Sequence, residues 1–275
     1  MWSSAFTSAK IIVENAPPLY TLSIRFIISG LIAISIGWML GQSLRLNTSQ
    51  WKATLLFGIC QNSIYLGLNF VAMQKVEAAI AAVIASTMPL IVAFLGWVLF
   101  KEKPKLITIL GLVLGMAGVY LIINTRIENI YNLLGILFCA IGAISLAIAT
   151  LSLRNATSGG NLWIIVGYQM IIGSLALIPF ALMFDDINVI WSTPLIIAFF
   201  YTTLIPGLLA TWIWFIIVSE VGAIKGASFH FLNPFFGVLI AYMILGENIT
   251  RSDYIGVAII SIGIITVQLS RNVEG

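Results

Sequence analysis

What this chain of 275 residues has least of is charge: Asp, Glu, Lys and Arg together make up 8%, against about a quarter in a soluble domain. So few charges cannot cover a water-facing surface. With 60% hydrophobic residues and a mean hydropathy of +1.08, the solvent for most of the chain is lipid. Histidine occurs once, as His230. Cysteine occurs twice, as Cys60 and Cys139, both inside apolar runs and without CxxC or metal-ligand spacing. They read as small buried hydrophobes, and no metal site is expected. The net charge of +3 is scattered through loops, with no basic run to hold nucleic acid and no acidic tail. Nothing resembles a nucleotide-binding P-loop, which excludes ATP drive within the chain, and no cofactor is expected. The opening MWSSAFTSAK has no basic stretch ahead of an apolar core, so it does not read as a signal peptide.

What the sequence does have is long unbroken apolar runs. Backbone polar groups in lipid must be satisfied internally, so the choice is between helices and a closed barrel, and unbroken runs rather than alternation select helices. Apolar segments fall at 1–13, 19–40, 51–73, 78–100, 106–123, 131–151, 162–184, 195–218, 226–245 and 254–270. The first would be only ~20 Å long as a helix, too short to span. Either the chain lacks the start of that helix or the helix crosses part of the bilayer. With the N-terminus cytoplasmic, the inner loops hold Arg45, Lys52, Lys101, Lys103, Lys105, Arg154, Lys225 and Arg271. The outer loops then hold only Lys75, Arg126 and Arg251. This bias predicts both termini inside.

Sliding the sequence by 145 residues aligns Ala78 with Ala223, Pro89 with Pro234, Glu102 with Glu247, Gly111 with Gly256 and Gly118 with Gly263. Each unit holds five segments, an odd number, so the second lies upside down relative to the first. The predicted architecture is an all-α integral membrane ten-helix bundle with a shortened first helix. It is built from two inverted five-helix repeats, 1–124 and 131–270, in a single compact membrane domain.

On these residues the chain resembles the drug/metabolite transporter superfamily, with two EamA-type domains. The resemblance rests on PPLYTLSIRF (17–26), AAIAAVIASTMPLIVAFLGWVLFKEK (78–103), the glycine helix ILGLVLGMAGVYLI (109–122) and the second copy that begins GASFHFLNPFFG at residue 226. The opening WSSAF is similar to the family's Trp-Gly-x-x-Phe, with Ser3 in the glycine's place. The resemblance implies a permease of the cell inner membrane. Such permeases move amino acids, related metabolites or drugs, often outward, and some are coupled to protons.

Candidate pathway residues follow from what a lipid-embedded helix normally avoids. Pro89 and Pro234 each deprive a carbonyl four residues earlier of its helical donor, those of Ala85 and His230. Matched interruptions in two repeats point to a midplane site; the alternative is that both prolines only kink their helices to fit the bundle. His230 and Asn233 share a helix face. They suit substrate binding, proton relay or a plain interhelical hydrogen bond. Asn62, Tyr65 and Asn69 form a polar stripe with Gln61 beside it, facing either a cavity or another helix. Tyr168 and Gln169 are weaker versions of the same signal. Ser86 lies just before Pro89, where its hydroxyl reaches a pathway or its own helix backbone. Arg25 lies about two turns into the second segment, where a guanidinium either holds a carboxylate or braces helix ends. Lys10 and Glu14 read as an ordinary pair, Glu102 and Glu247 as helix-end latches, and Gly111, Gly115 and Gly118 as a packing face.

Three function classes remain. A secondary transporter would work by alternating access around a midplane site. A membrane-embedded transferase would need clustered acids or histidines, and the only acidic pair is Asp185–Asp186, with no histidine near it. A channel or scaffold would need a filter sequence or no repeat at all. The partners expected are a small-molecule substrate, the bilayer and protons as coupling ion.

Overall fold

The computed structural model describes residues 1–76, 78–101, 103–124, 132–153, 160–245 and 251–269. Glu102, Glu247, Arg126, Arg154 and Arg271 lie outside them. All ten apolar segments are helical, and among the described residues there is no strand. The helices are α1 (Trp2–Asn15), α2 (Pro18–Met39), α3 (Thr48–Ala72), α4 in two pieces (Ala78–Ala85 and Met88–Phe100) and α5 (Leu106–Asn124). There follow α6 (Leu133–Ser152), α7 (Leu162–Phe184), α8 (Thr193–Val221), α9 (Ala223–Ser228, a tight turn at Phe229–Phe231, then Leu232–Leu245) and α10 (Arg251–Leu269). Six of them, α2, α3, α6, α7, α8 and α10, are long and apolar enough to cross a bilayer unbroken. In α4 and α9 the span is in shorter pieces, with Pro89 and Pro234 just after each break, whereas α7 continues through Pro179.

Helix starts obey local chemistry. Pro17 and Pro18 open α2. At α3, Asn47 Oδ1 accepts from Gln50 N (2.8 Å) while Gln50 Oε1 accepts from Asn47 N (3.0 Å), a reciprocal capping box. Large apolar side chains such as Phe94, Trp97, Leu106, Leu182 and Phe184 are exposed on the bundle's outside, the face a bilayer covers.

Two antiparallel pairs form the frame. In the α5–α10 pair, a Cβ added to Gly118 would lie 2.6 Å from the Gly256 carbonyl oxygen, and one on Gly111 2.8 Å from that of Gly263. Only glycine permits so close an approach. Under the 145-residue shift these two contacts exchange, since Gly111 aligns with Gly256 and Gly118 with Gly263. In the α2–α7 pair the helices are pinned at both ends. Asp185, just past α7, accepts from Leu19 N and Tyr20 N at the start of α2, both at 2.8 Å. Gln42, just past α2, accepts through Oε1 from Trp163 N (3.0 Å) and Ile164 N (3.4 Å) at the start of α7.

Burial raises the Asp185 carboxyl above its ordinary value and Asp186 adds to this, while the Tyr20 and Leu19 N–H groups pull it back. The folded state therefore holds the Asp185 proton more tightly than the unfolded chain does. The stability tied to that proton is complete below the ordinary carboxylate pKa and is lost as pH rises through the raised one. Asp185→Asn keeps an acceptor and removes the charge, so its stability relative to wild type should rise between about pH 4 and pH 7. Asp185→Ala removes the cap and should cost about 1 kcal/mol. Thermal unfolding in detergent across that pH range checks both. A falling difference for Asp185→Asn would mean that the two N–H bonds outweigh burial.

Candidate functional site

Among the described residues the backbone within the helices departs from regular α-helix at four places, and they match in pairs. α3 widens to π-helix at Gly58–Leu66 and α8 at Thr203–Leu209, the two starts being 145 residues apart. α4 breaks between Ala85 and Met88, and α9 tightens to a 3₁₀ turn at Phe229–Phe231. A π turn alters the regular donor–acceptor ladder and turns carbonyls outward. Carbonyls within these stretches also accept from side chains of neighbouring helices. Ser145 Oγ donates to Cys60 O at 2.9 Å, Ser29 Oγ to Thr203 O at 3.0 Å and Trp2 Nε1 to Pro206 O at 3.1 Å.

Around these irregular stretches lies a small cavity of about 60 Å³, room for a few waters in this conformation. Its wall takes Trp2 and Phe6 from α1, Arg25 and Phe26 from α2, and Gln61, Asn62, Tyr65, Asn69 and Phe70 from α3. Thr202, Pro206, Gly207 and Thr211 come from α8, and His230 and Asn233 from α9. Leu66, Met73, Leu146 and Met170 add apolar surface. Met73 follows the last turn of α3 and Arg25 lies two turns into α2, so the cavity runs from mid-bundle toward the end where Asp185 caps α2. Four pairs in the wall align under the 145-residue shift: Arg25 with Met170, Gln61 with Pro206, Asn62 with Gly207 and Leu66 with Thr211.

The polar groups fall into two clusters. Ser3 Oγ donates to Asn233 Oδ1 (3.2 Å), which turns the Asn233 amide nitrogen toward His230 Nδ1 at 3.3 Å. His230 Nδ1 is then the acceptor, and the ring proton sits on Nε2, a buried donor without a partner. The imidazole is enclosed by Trp2 (5.0 Å between ring centres) and Trp214 (5.1 Å). In the second cluster, Asn62 Nδ2 donates to Gln169 O at 3.0 Å and also to Gln169 Oε1. Asn69 Nδ2 donates to Tyr65 O at 2.8 Å, leaving Asn69 Oδ1 unpaired, and Gln61 Oε1 is likewise unpaired.

The sequence-predicted residues thus divide. Arg25, Asn62, Tyr65, Asn69, His230 and Asn233 meet in one wall. Gln169 stands behind it and fixes Asn62. Ser86, Pro89 and Pro234 are buried at the breaks rather than in the wall. Ser86 Oγ bonds its own helix at Ala82 O (2.8 Å) and lies 3.5 Å from His230 O, the carbonyl that Pro234 leaves without a helical donor. Tyr168 is not in the wall; it is stacked on Trp51 and donates to Leu44 O. Lys10 pairs with Glu14 at 3.3 Å, as expected, and also donates to Met73 O at 2.8 Å. Sequence reasoning missed Trp2, Thr202, Pro206 and Thr211. The signal for the α8 residues was TLIPGLL (203–209), a Pro-Gly at the position that aligns with Gln61-Asn62.

Residues 1–124 and 133–269 each match the EamA-like transporter family. The chain belongs to that family. It is 25% identical to the Bacillus subtilis (strain 168) transporter YvbV, over all of this chain and 90% of that one. It is also 25% identical to a chloroplastic WAT1-related protein of Arabidopsis thaliana, over 97% of this chain and 66% of that one. The Escherichia coli (strain K12) inner membrane transporter YedA is 23% identical, over 98% of this chain and 88% of that one. A crystal structure 17% identical in sequence superposes with a TM-score of 0.77, over 96% of this chain and 94% of that one. The EamA protein is a multi-pass membrane transporter of small molecules, a transporter by family rather than an enzyme.

Because Ser29 and Ser145 satisfy carbonyls of the two π stretches, Ser29→Ala and Ser145→Ala should each lower stability by about 1 kcal/mol. Ser219→Ala should not, since that exposed hydroxyl bonds only its own helix at Ile216 O. Thermal unfolding of the three variants in detergent compares them.

Proposed function

We propose that the protein is a secondary active transporter of small metabolites, such as amino acids or related compounds. It works by alternating access around the cavity, which lies between two inverted repeats, and both termini are cytoplasmic. The observation that carries this reading is the wall itself, where residues aligned by the 145-residue shift meet across one cavity. A binding site on the seam between inverted units is what alternating access requires. Outward transport is the direction the family resemblance favours, and the Lys and Arg bias supports the orientation.

The frame suggests which parts move. α2 and α7 are fixed to each other at both ends, and α5 packs on α10 through glycines. The irregular backbone of α3, α8 and α9 lines the cavity and can absorb the dihedral changes of a rocking motion. Thr211→Trp, which fills the cavity from α8, should abolish substrate counterflow in proteoliposomes while the protein still unfolds cooperatively near the wild-type temperature. Unchanged counterflow in that variant would remove the cavity from the transport path.

A further inference from the structure

We propose that the cavity selects ligands bearing one carboxylate, held by Arg25, together with at least one N–H or O–H donor. This rests on the cavity's being the transport site. Arg25 is 4% exposed and lines the cavity, and among the described residues it has neither a hydrogen bond nor an ion pair. Its guanidinium sits 5.2 Å from the ring centre of Phe26 and 5.7 Å from that of Phe70. These rings pack beside the guanidinium and supply no hydrogen-bond acceptor, so its N–H groups remain to be satisfied. One terminal nitrogen lies 3.5 Å from where a Cβ on Gly207 would stand, so the side chain reaches from α2 to the π stretch of α8.

A buried charge without a partner is unfavourable in the empty protein, and it persists most economically where a ligand supplies the counter-charge. Its partner under the repeat shift is Met170, also in the wall, so the two-unit architecture does not demand a cation there. Of the other described cations at this end, Lys10 is committed to Glu14 and the Met73 carbonyl and Lys75 is exposed outside the wall, while Asp185 is committed to the start of α2. One free guanidinium balances one negative charge and offers the paired donors that a carboxylate accepts. A phosphate dianion would leave a second charge buried and uncompensated. The unpaired oxygens of Gln61 and Asn69 call for donors on the ligand, and the Nε2–H of His230 offers one more.

Purified protein in detergent tests this with matched probes: lactate, 3-phenyllactate and 3-indolelactate, each beside its primary amide, with 3-phenylpropionate lacking the hydroxyl donor. At least one acid should bind about tenfold or more tightly than its amide, as loss of a charged hydrogen bond implies. 3-Phenylpropionate should bind more weakly than 3-phenyllactate. Arg25→Lys should retain the acid preference at lower affinity, and Arg25→Gln should erase it. Ligand-free Arg25→Gln should unfold at or above the wild-type temperature, because it removes an uncompensated charge. No acid preference in the wild type, its survival in Arg25→Gln, or a large loss of stability in the ligand-free variant would each overturn the proposal. A neutral or cationic probe whose binding is lost in Thr211→Trp but kept in Arg25→Gln would overturn it while leaving the cavity as the transport site. Probe binding untouched by either substitution would instead sink the transport-site reading.

Discussion

Every backbone carbonyl inside a bilayer must find its donor within the protein, and the rest of this structure is arranged around that demand. A bundle of ideal helices would meet it without help, but would offer no widened or broken backbone from which to build a cavity. Here the helices are irregular at matched places in α3, α4, α8 and α9. Carbonyls there accept from Ser29, Ser145 and Trp2 on neighbouring helices. The hydroxyls and the indole that satisfy the backbone therefore also fix how the helices stand around the cavity.

The same economy separates frame from site. Away from the cavity, glycines bring α5 and α10 into backbone contact, and Asp185 and Gln42 close the ends of α2 and α7. Where the two units meet at the cavity, symmetry is broken by side chains: Arg25 against Met170, and Gln61-Asn62 against Pro206-Gly207. Backbone architecture follows the repeat, and the side chains that depart from it stand in the cavity wall. His230 and Asn233 belong to the second kind, since Ala85 and Met88 occupy the aligned positions in the first unit.

Much of this was legible in the residues. Apolar runs placed ten helices to within a few residues, since only helices or closed barrels survive in lipid. The polar stripe Asn62–Tyr65–Asn69 and the pair His230–Asn233 could be read from helical periodicity, and all five reach the cavity wall. The π stretches could not be read, because a widened turn needs no particular residue type, and GICQNSIYL (58–66) signals polarity without geometry. Trp2 was hidden in what looked like a truncated helix, and its acceptor on Pro206 lies 204 residues away. Asp185 was visible only as half of an outer acidic pair. Its role as a cap depends on which helix start the fold brings beside it.

The claim on which the rest turns is that the cavity is exposed to each side of the membrane in turn. Thr211, buried in its wall, is the place to measure that. Thr211→Cys would be placed in a background with Cys60 and Cys139 replaced by alanine, reconstituted with uniform orientation, and challenged with a membrane-impermeant thiol reagent. The reagent is applied from one side and then from the other. Alternating access predicts modification from both sides, with any ligand that speeds labelling from one side slowing it from the other. Modification from a single side only, with and without ligand, would contradict the account.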